Sequence, residues 1–127
     1  MPVLKGLSLS DGEWKLMNLL WEREPLTIGE MVTALKQDTA WSKATVNIML
    51  NRLAGNGAVR VENGGRNKLF FPVIRREEAV KQEARNTLGK IKTGGIALLV
   101  STMAKESRLT DEEIEELYRI MKEVRDR

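Results

Sequence analysis

Three times in this chain a hydroxyl residue is followed three positions later by glutamate: Ser10 and Glu13, Thr27 and Glu30, Thr110 and Glu113. In that arrangement the hydroxyl accepts from an exposed amide of the first helical turn while the carboxylate reaches back to the capping residue's own amide, so each pair marks a helix start. After Ser10, the apolar positions Trp14, Met17, Leu20 and Trp21 keep helical spacing until Pro25 blocks continuation. After Thr27, Ile28, Met31, Val32 and Leu35 mark a shorter helix that QDTAW interrupts. Ser42 can cap a third, whose stripe of Val46, Met49, Leu50 and Leu53 runs until Gly55 and Gly57 end it.

The period then changes. Residues 58–62 (AVRVE) alternate, Asn63, Gly64 and Gly65 form a turn signal, and 68–74 (KLFFPVI) supply a β-branched and aromatic return strand. Pro72 lacks an amide donor and suits an edge or the end of pairing. Three helices followed by a hairpin with a basic tip is the element order of a winged helix-turn-helix. The expected fold is therefore mainly α with a small β-hairpin: a winged helix-turn-helix DNA-binding domain over 1–75 and a helical dimerisation region over 76–127.

Composition narrows the chemistry. The 127 residues include no cysteine and no histidine, which removes disulfides, thiolate metal sites, cysteine nucleophiles and imidazole acid-base catalysis. The chain is read as a non-enzyme that needs no cofactor or metal. Neither a signal peptide nor a membrane span is legible, so a soluble cytoplasmic protein is expected. The acidic run Asp111, Glu112, Glu113, Glu115 and Glu116 could bind a hard cation, but adjacent carboxylates spread around a helix rather than converge. A solvated acidic face is the better reading.

The net charge of +3 is unevenly placed. Between Lys36 and Arg76 eight basic residues face only Asp38 and Glu62, whereas from Arg76 onward eleven basic and eleven acidic residues balance. The basic segment contains the third helix. Turning that helix about 100° per residue puts its apolar stripe on one side and Ala44, Thr45, Asn47, Ile48, Asn51 and Arg52 on or beside the other. These side chains are mostly short, as a helix approaching base edges in the major groove requires. Ser42 and Lys43 would fix the helix start on phosphate, Ala44, Thr45, Asn47, Ile48 and Asn51 would read bases, and Arg66 and Lys68 would act from the wing. Against this stands a plainer reading: solvated asparagines, an ordinary charged turn, and an Ile48 that meets protein instead of DNA. Trp14, Trp21 and Trp41 could stack on single-stranded bases, but their positions favour core packing.

Past the basic segment, Ile114, Leu117, Met121 and Val124 repeat at three- and four-residue spacing, the seam of a helix lying along another helix. Ile96, Leu99 and Met103 in and after the IALLV run add apolar surface. A homodimer would bury both; folding back onto the winged domain is the competing arrangement. Twofold symmetry would match two recognition helices to a pseudo-palindromic duplex.

The segments SDGEWKLMNLLWE, WSKATVNIMLNRLAGNG, GGRNKLFFPV and GGIALLVSTMAKESRLTDEEIEEL, in that order, resemble the penicillinase repressor family of bacteria, the BlaI/MecI/CopY group. The most specific matches are Trp41, Ser42, Thr45, the Asn51-Arg52-Leu53 run and the closing helix. The resemblance implies a homodimeric repressor on a dyad operator of double-stranded DNA upstream of resistance or transport genes, with dimerisation through the C-terminal helices. An inducing protease or signalling partner is a further implied contact. Three departures stand out: Lys43 and Asn47 occupy positions where relatives often carry proline and arginine, Thr102-Met103 stands where cleavable relatives have an Asn-Phe bond, and the cysteine metal site of copper-responsive relatives is missing. A winged-helix module that docks on protein is the alternative reading.

Overall fold

The computed structural model describes residues 7–91 and 94–127. The elements are α1 (Asp11–Arg23), α2 (Ile28–Ala34), α3 (Lys43–Gly55), β1 (Val59–Gly64), β2 (Asn67–Pro72), α4 (Arg76–Leu88), α5 (Gly95–Glu106) and α6 (Asp111–Arg125). Mostly helical with one antiparallel hairpin, this is the winged-helix order expected from the sequence. All three capping boxes form, with both the hydroxyl and the glutamate bond made at Ser10, Thr27 and Thr110.

The chain divides into two compact units, one ending at Thr87 and one spanning Leu88–Arg127. That boundary lies beyond the division expected at residue 75, for a physical reason. Ala79 of α4 is buried in the first unit's core, and Asn86 Nδ2 donates to the Leu7 carbonyl at 3.1 Å. The segment entering α4 is also held, because Trp21 Nε1 donates to the Ile74 carbonyl at 2.9 Å and the Arg76 guanidinium lies 5.6 Å over the Trp21 ring.

The first unit's core is built from Leu16, Met17 and Leu20 of α1, Met31 of α2, Val46, Leu50 and Leu53 of α3, and Phe70 of β2. The tryptophans flank it rather than fill it. Trp14 and Trp21 meet edge to face at 6.0 Å, and Trp41 packs where α1 begins, beside Gly12. A Cβ at Gly12 would stand 3.0 Å from Met49 Sδ and 3.2 Å from the Trp41 ring, so a side chain there would require these neighbours to give by a few tenths of an ångström.

Strand pairing runs from Val59↔Pro72 to Gly64↔Asn67, which leaves Gly65 and Arg66 as a two-residue loop. The turn is thus tighter than the Asn63-Gly64-Gly65 signal suggested, and the return strand starts at Asn67 and ends at Pro72 rather than running to residue 74. Gly65 has φ +79 while Arg66 does not enter positive φ, the requirement of a hairpin loop with glycine first. Pro72 closes the pairing. Leu26, in the segment between α1 and α2, exchanges two backbone hydrogen bonds with Phe70 at 2.9 and 3.2 Å. This bridge ties the hairpin to the start of α2 and gave no signal in the sequence.

Candidate nucleic-acid interface

Ser42 starts α3. Its hydroxyl accepts from the Thr45 amide at 3.2 Å and pairs with the Thr45 hydroxyl at 3.2 Å. Both groups are therefore engaged locally, where the sequence suggested a phosphate anchor and a base reader. Val46, Leu50 and Leu53 are fully buried. Ala44, Thr45, Asn47, Ile48, Asn51 and Arg52 are all exposed, as the rotation about the helix axis predicted, and Lys43 is exposed as well.

An open cleft of about 410 Å³ lies between α3 and the wing, lined by Lys43, Ala44 and Asn47 of α3, by Arg66, Asn67 and Lys68 of the hairpin, and by Thr27, Ile28 and Gly29 at the start of α2. Five of the expected contact residues thus share one concave surface. Thr45, Ile48, Asn51 and Arg52 continue along the exposed part of α3 outside the cleft. The α2 residues and Asn67 were not foreseen. Their signal was indirect: Thr27 was legible as a cap, but only the Leu26–Phe70 bridge reveals that the α2 start sits beside the wing.

The electrostatics favour an anionic partner. Of the two acidic residues in the basic segment, Asp38 pairs with Lys15 at 2.5 Å and Glu62 pairs with Arg60, which also lies 4.1 Å over the Phe71 ring. Among the described residues, no carboxylate pairs with Lys43, Arg66 or Lys68. Their charge faces the cleft uncompensated.

Arg52 carries a duty that spacing did not disclose. Glu13, buried to 1% exposure, accepts at Oε1 from the Ser10 amide at 2.9 Å, while its Oε2 has no hydrogen-bond partner. Arg52 Nε stands 3.4 Å from that oxygen, an ion pair without hydrogen-bond alignment, and the Arg52 side chain is otherwise 60% exposed. Glu13 therefore links the α1 cap to α3 through charge. Arg52, expected only on or beside the exposed side of the helix, is also the counter-ion of a buried carboxylate.

A family model described as penicillinase repressor matches residues 9–123, nearly the whole chain. The chain belongs to the penicillinase repressor family. The family resemblance carried by the sequence motifs is thereby borne out. The penicillinase repressor of Bacillus licheniformis is 28% identical over 119 residues, covering 94% of this chain and 93% of its own length. The methicillin resistance regulatory protein MecI of Staphylococcus aureus is 22% identical over 117 residues, covering 92% and 95%. Among solved structures, the solution structure of Bacillus licheniformis BlaI in monomeric form with the blaP half-operator superposes with a TM-score of 0.50 at 28% identity, over 57% of this chain and 88% of that one.

The surfaces expected to carry dimerisation lie in the second unit. Ile96, Met103, Ile114, Leu117, Met121 and Val124 are exposed and Leu99 is half-buried. Leu98, Val100, Tyr118 and Ile120 are exposed as well, so the apolar surface is wider than the seam read from spacing. The carboxylates of α6 are all exposed, and Glu113 is engaged in the Thr110 cap. Among the described residues no three metal-ligating side chains gather in a cluster, and no helix is long and apolar enough to cross a membrane.

Proposed function

We propose that this chain is a transcriptional repressor that binds duplex DNA with α3 in the major groove and the hairpin tip on the flanking backbone. One observation carries it: the short-chained exposed part of α3 and the unpaired charges of Lys43, Arg66 and Lys68 border one cleft. Asn47 and Asn51 suit base edges, and the charged wing residues suit phosphate. Membership of a repressor family, and a relative solved on its half-operator, support the same reading. The protein is a binder rather than a catalyst, acting in the cytoplasm on promoter DNA of resistance or transport genes.

Two copies would join through α5 and α6, burying Ile96, Leu99, Met103, Ile114, Leu117, Met121 and Val124 against a partner. That pairing sets two recognition helices about 34–36 Å apart, or a multiple of it, and so selects a pseudo-palindromic operator. Joining the half-sites in one molecule raises affinity without any new contact. Release is assigned to a separate protease or signalling protein. Thr102 and Met103 lie inside α5, where the Thr102 hydroxyl donates to the Leu98 carbonyl at 2.8 Å, so cleavage there would require local unwinding.

The test is to recover fragments bound by the full chain from sheared genomic DNA. A dyad at promoters is expected. Recovery of unrelated sequences with no shared dyad would overturn the operator reading.

A further inference from the structure

On the polar exposed part of α3, one residue is out of character. Ile48 is 69% exposed, more than any other large hydrophobic side chain described in the winged unit, where Val61, Val73 and Val80 reach 41%, 51% and 52%. At about 100° per residue, it points within about 15° of the direction opposite the buried stripe of Val46, Leu50 and Leu53. It is thus the apex of the exposed side. Ala44, one turn earlier, is too short to screen it, and Asn51 and Asn47 lie to one side of it, about 60° and 100° round the helix. A solvated helix gains nothing from isoleucine at its apex, since apolar area there stays in water.

We propose that Ile48 reads the C5-methyl group of a thymine in the major groove. This rests on the DNA-binding reading above and deepens it by naming the base chemistry at the centre of the footprint. An A·T pair presents, on its major-groove edge, the N7 and N6 groups of adenine and the O4 and methyl group of thymine. An amide beside a branched aliphatic side chain complements that edge: Asn47 or Asn51 satisfies adenine in bidentate fashion, and Ile48 covers the methyl. Inside a helix a β-branched chain holds one strongly preferred χ1 rotamer, so little side-chain freedom is lost on contact. The bound duplex should therefore carry an A·T pair at one fixed position in each half-site.

The experiment starts from a duplex enriched by the full chain out of a random pool. Each thymine in turn is replaced by uracil, which keeps every base-pair hydrogen bond and deletes only the methyl. Fluorescence anisotropy should show one position per half-site where uracil weakens binding about three- to fivefold, the size of one methyl removed from burial. Ile48→Ala, which touches no core, should abolish the thymine preference there, and Ile48→Val should retain it. If every uracil duplex binds like its parent, or the penalty persists in Ile48→Ala, the assignment is overturned. Absence of any salt-dependent duplex binding by the unmodified chain would instead overturn the DNA reading beneath it.

Discussion

In the unit ending at Thr87, three helices and a hairpin enclose Leu16, Met17, Leu20, Met31, Leu50, Leu53 and Phe70, each almost fully buried. In Leu88–Arg127, α5 and α6 are comparably rich in Leu, Ile, Val and Met yet bury no residue at all. The first unit satisfies its apolar groups within itself and can leave a polar, basic surface outward. The second presents its apolar groups outward, which is the surface that the proposed pairing of two copies would cover. On the proposed reading recognition and association lie in different units, so a change in one unit should leave the other folded.

The largest effect is expected in the self-contained core. Phe70→Ala removes a ring of β2 that is buried in the core, and should cost about 3–5 kcal/mol of unfolding free energy, measured by denaturant titration. A loss below about 1 kcal/mol would mean that the core does not depend on the wing. Next comes the association surface: Leu117→Glu with Met121→Glu should convert dimers to monomers by analytical ultracentrifugation and make operator binding weaker, with the winged unit still folded. Finding the unmodified chain monomeric at micromolar concentration would remove the functional contrast between the units.

Arg52→Ala tests where recognition and stability overlap, since it leaves the Glu13 carboxylate buried without its counter-ion. A cost of about 1–3 kcal/mol is expected in thermal or denaturant unfolding, together with weaker binding to all duplexes. Full stability in that variant would assign Arg52 to DNA alone. Asn47→Ala should leave stability unchanged and flatten discrimination among operator variants by about 1–3 kcal/mol at one base pair. Equal losses on operator and random DNA would move Asn47 from base reading to general attraction. The smallest effect on folding belongs to Lys68→Ala, within about 0.5 kcal/mol for an exposed position, with a salt slope shallower by about one unit.

Much of this is legible in the sequence. The capping boxes at Ser10, Thr27 and Thr110 located three helices because their bonds are local, made within one turn. The exposure of Asn47, Ile48 and Asn51 followed from helical rotation alone. What escaped depends on contacts between segments distant in sequence. The Leu26–Phe70 bridge, the Glu13–Arg52 pair and the Ala79 anchor of α4 each join residues whose spacing carries no period. The hairpin loop was misplaced for a different reason. Asn63, Gly64 and Gly65 can each occupy a turn, and strand register, set by pairing down to Gly64↔Asn67, decided which did.

The central claim is that the α3 surface and the wing bind duplex DNA through uncompensated charge. It is tested most directly by measuring affinity for one enriched duplex across a range of salt concentrations, for the unmodified chain and for an Arg66→Ala, Lys68→Ala double variant. A steep linear fall of log affinity with log salt is predicted, shallower by about two units in the variant. A flat profile, or identical slopes for the two proteins, would contradict the account.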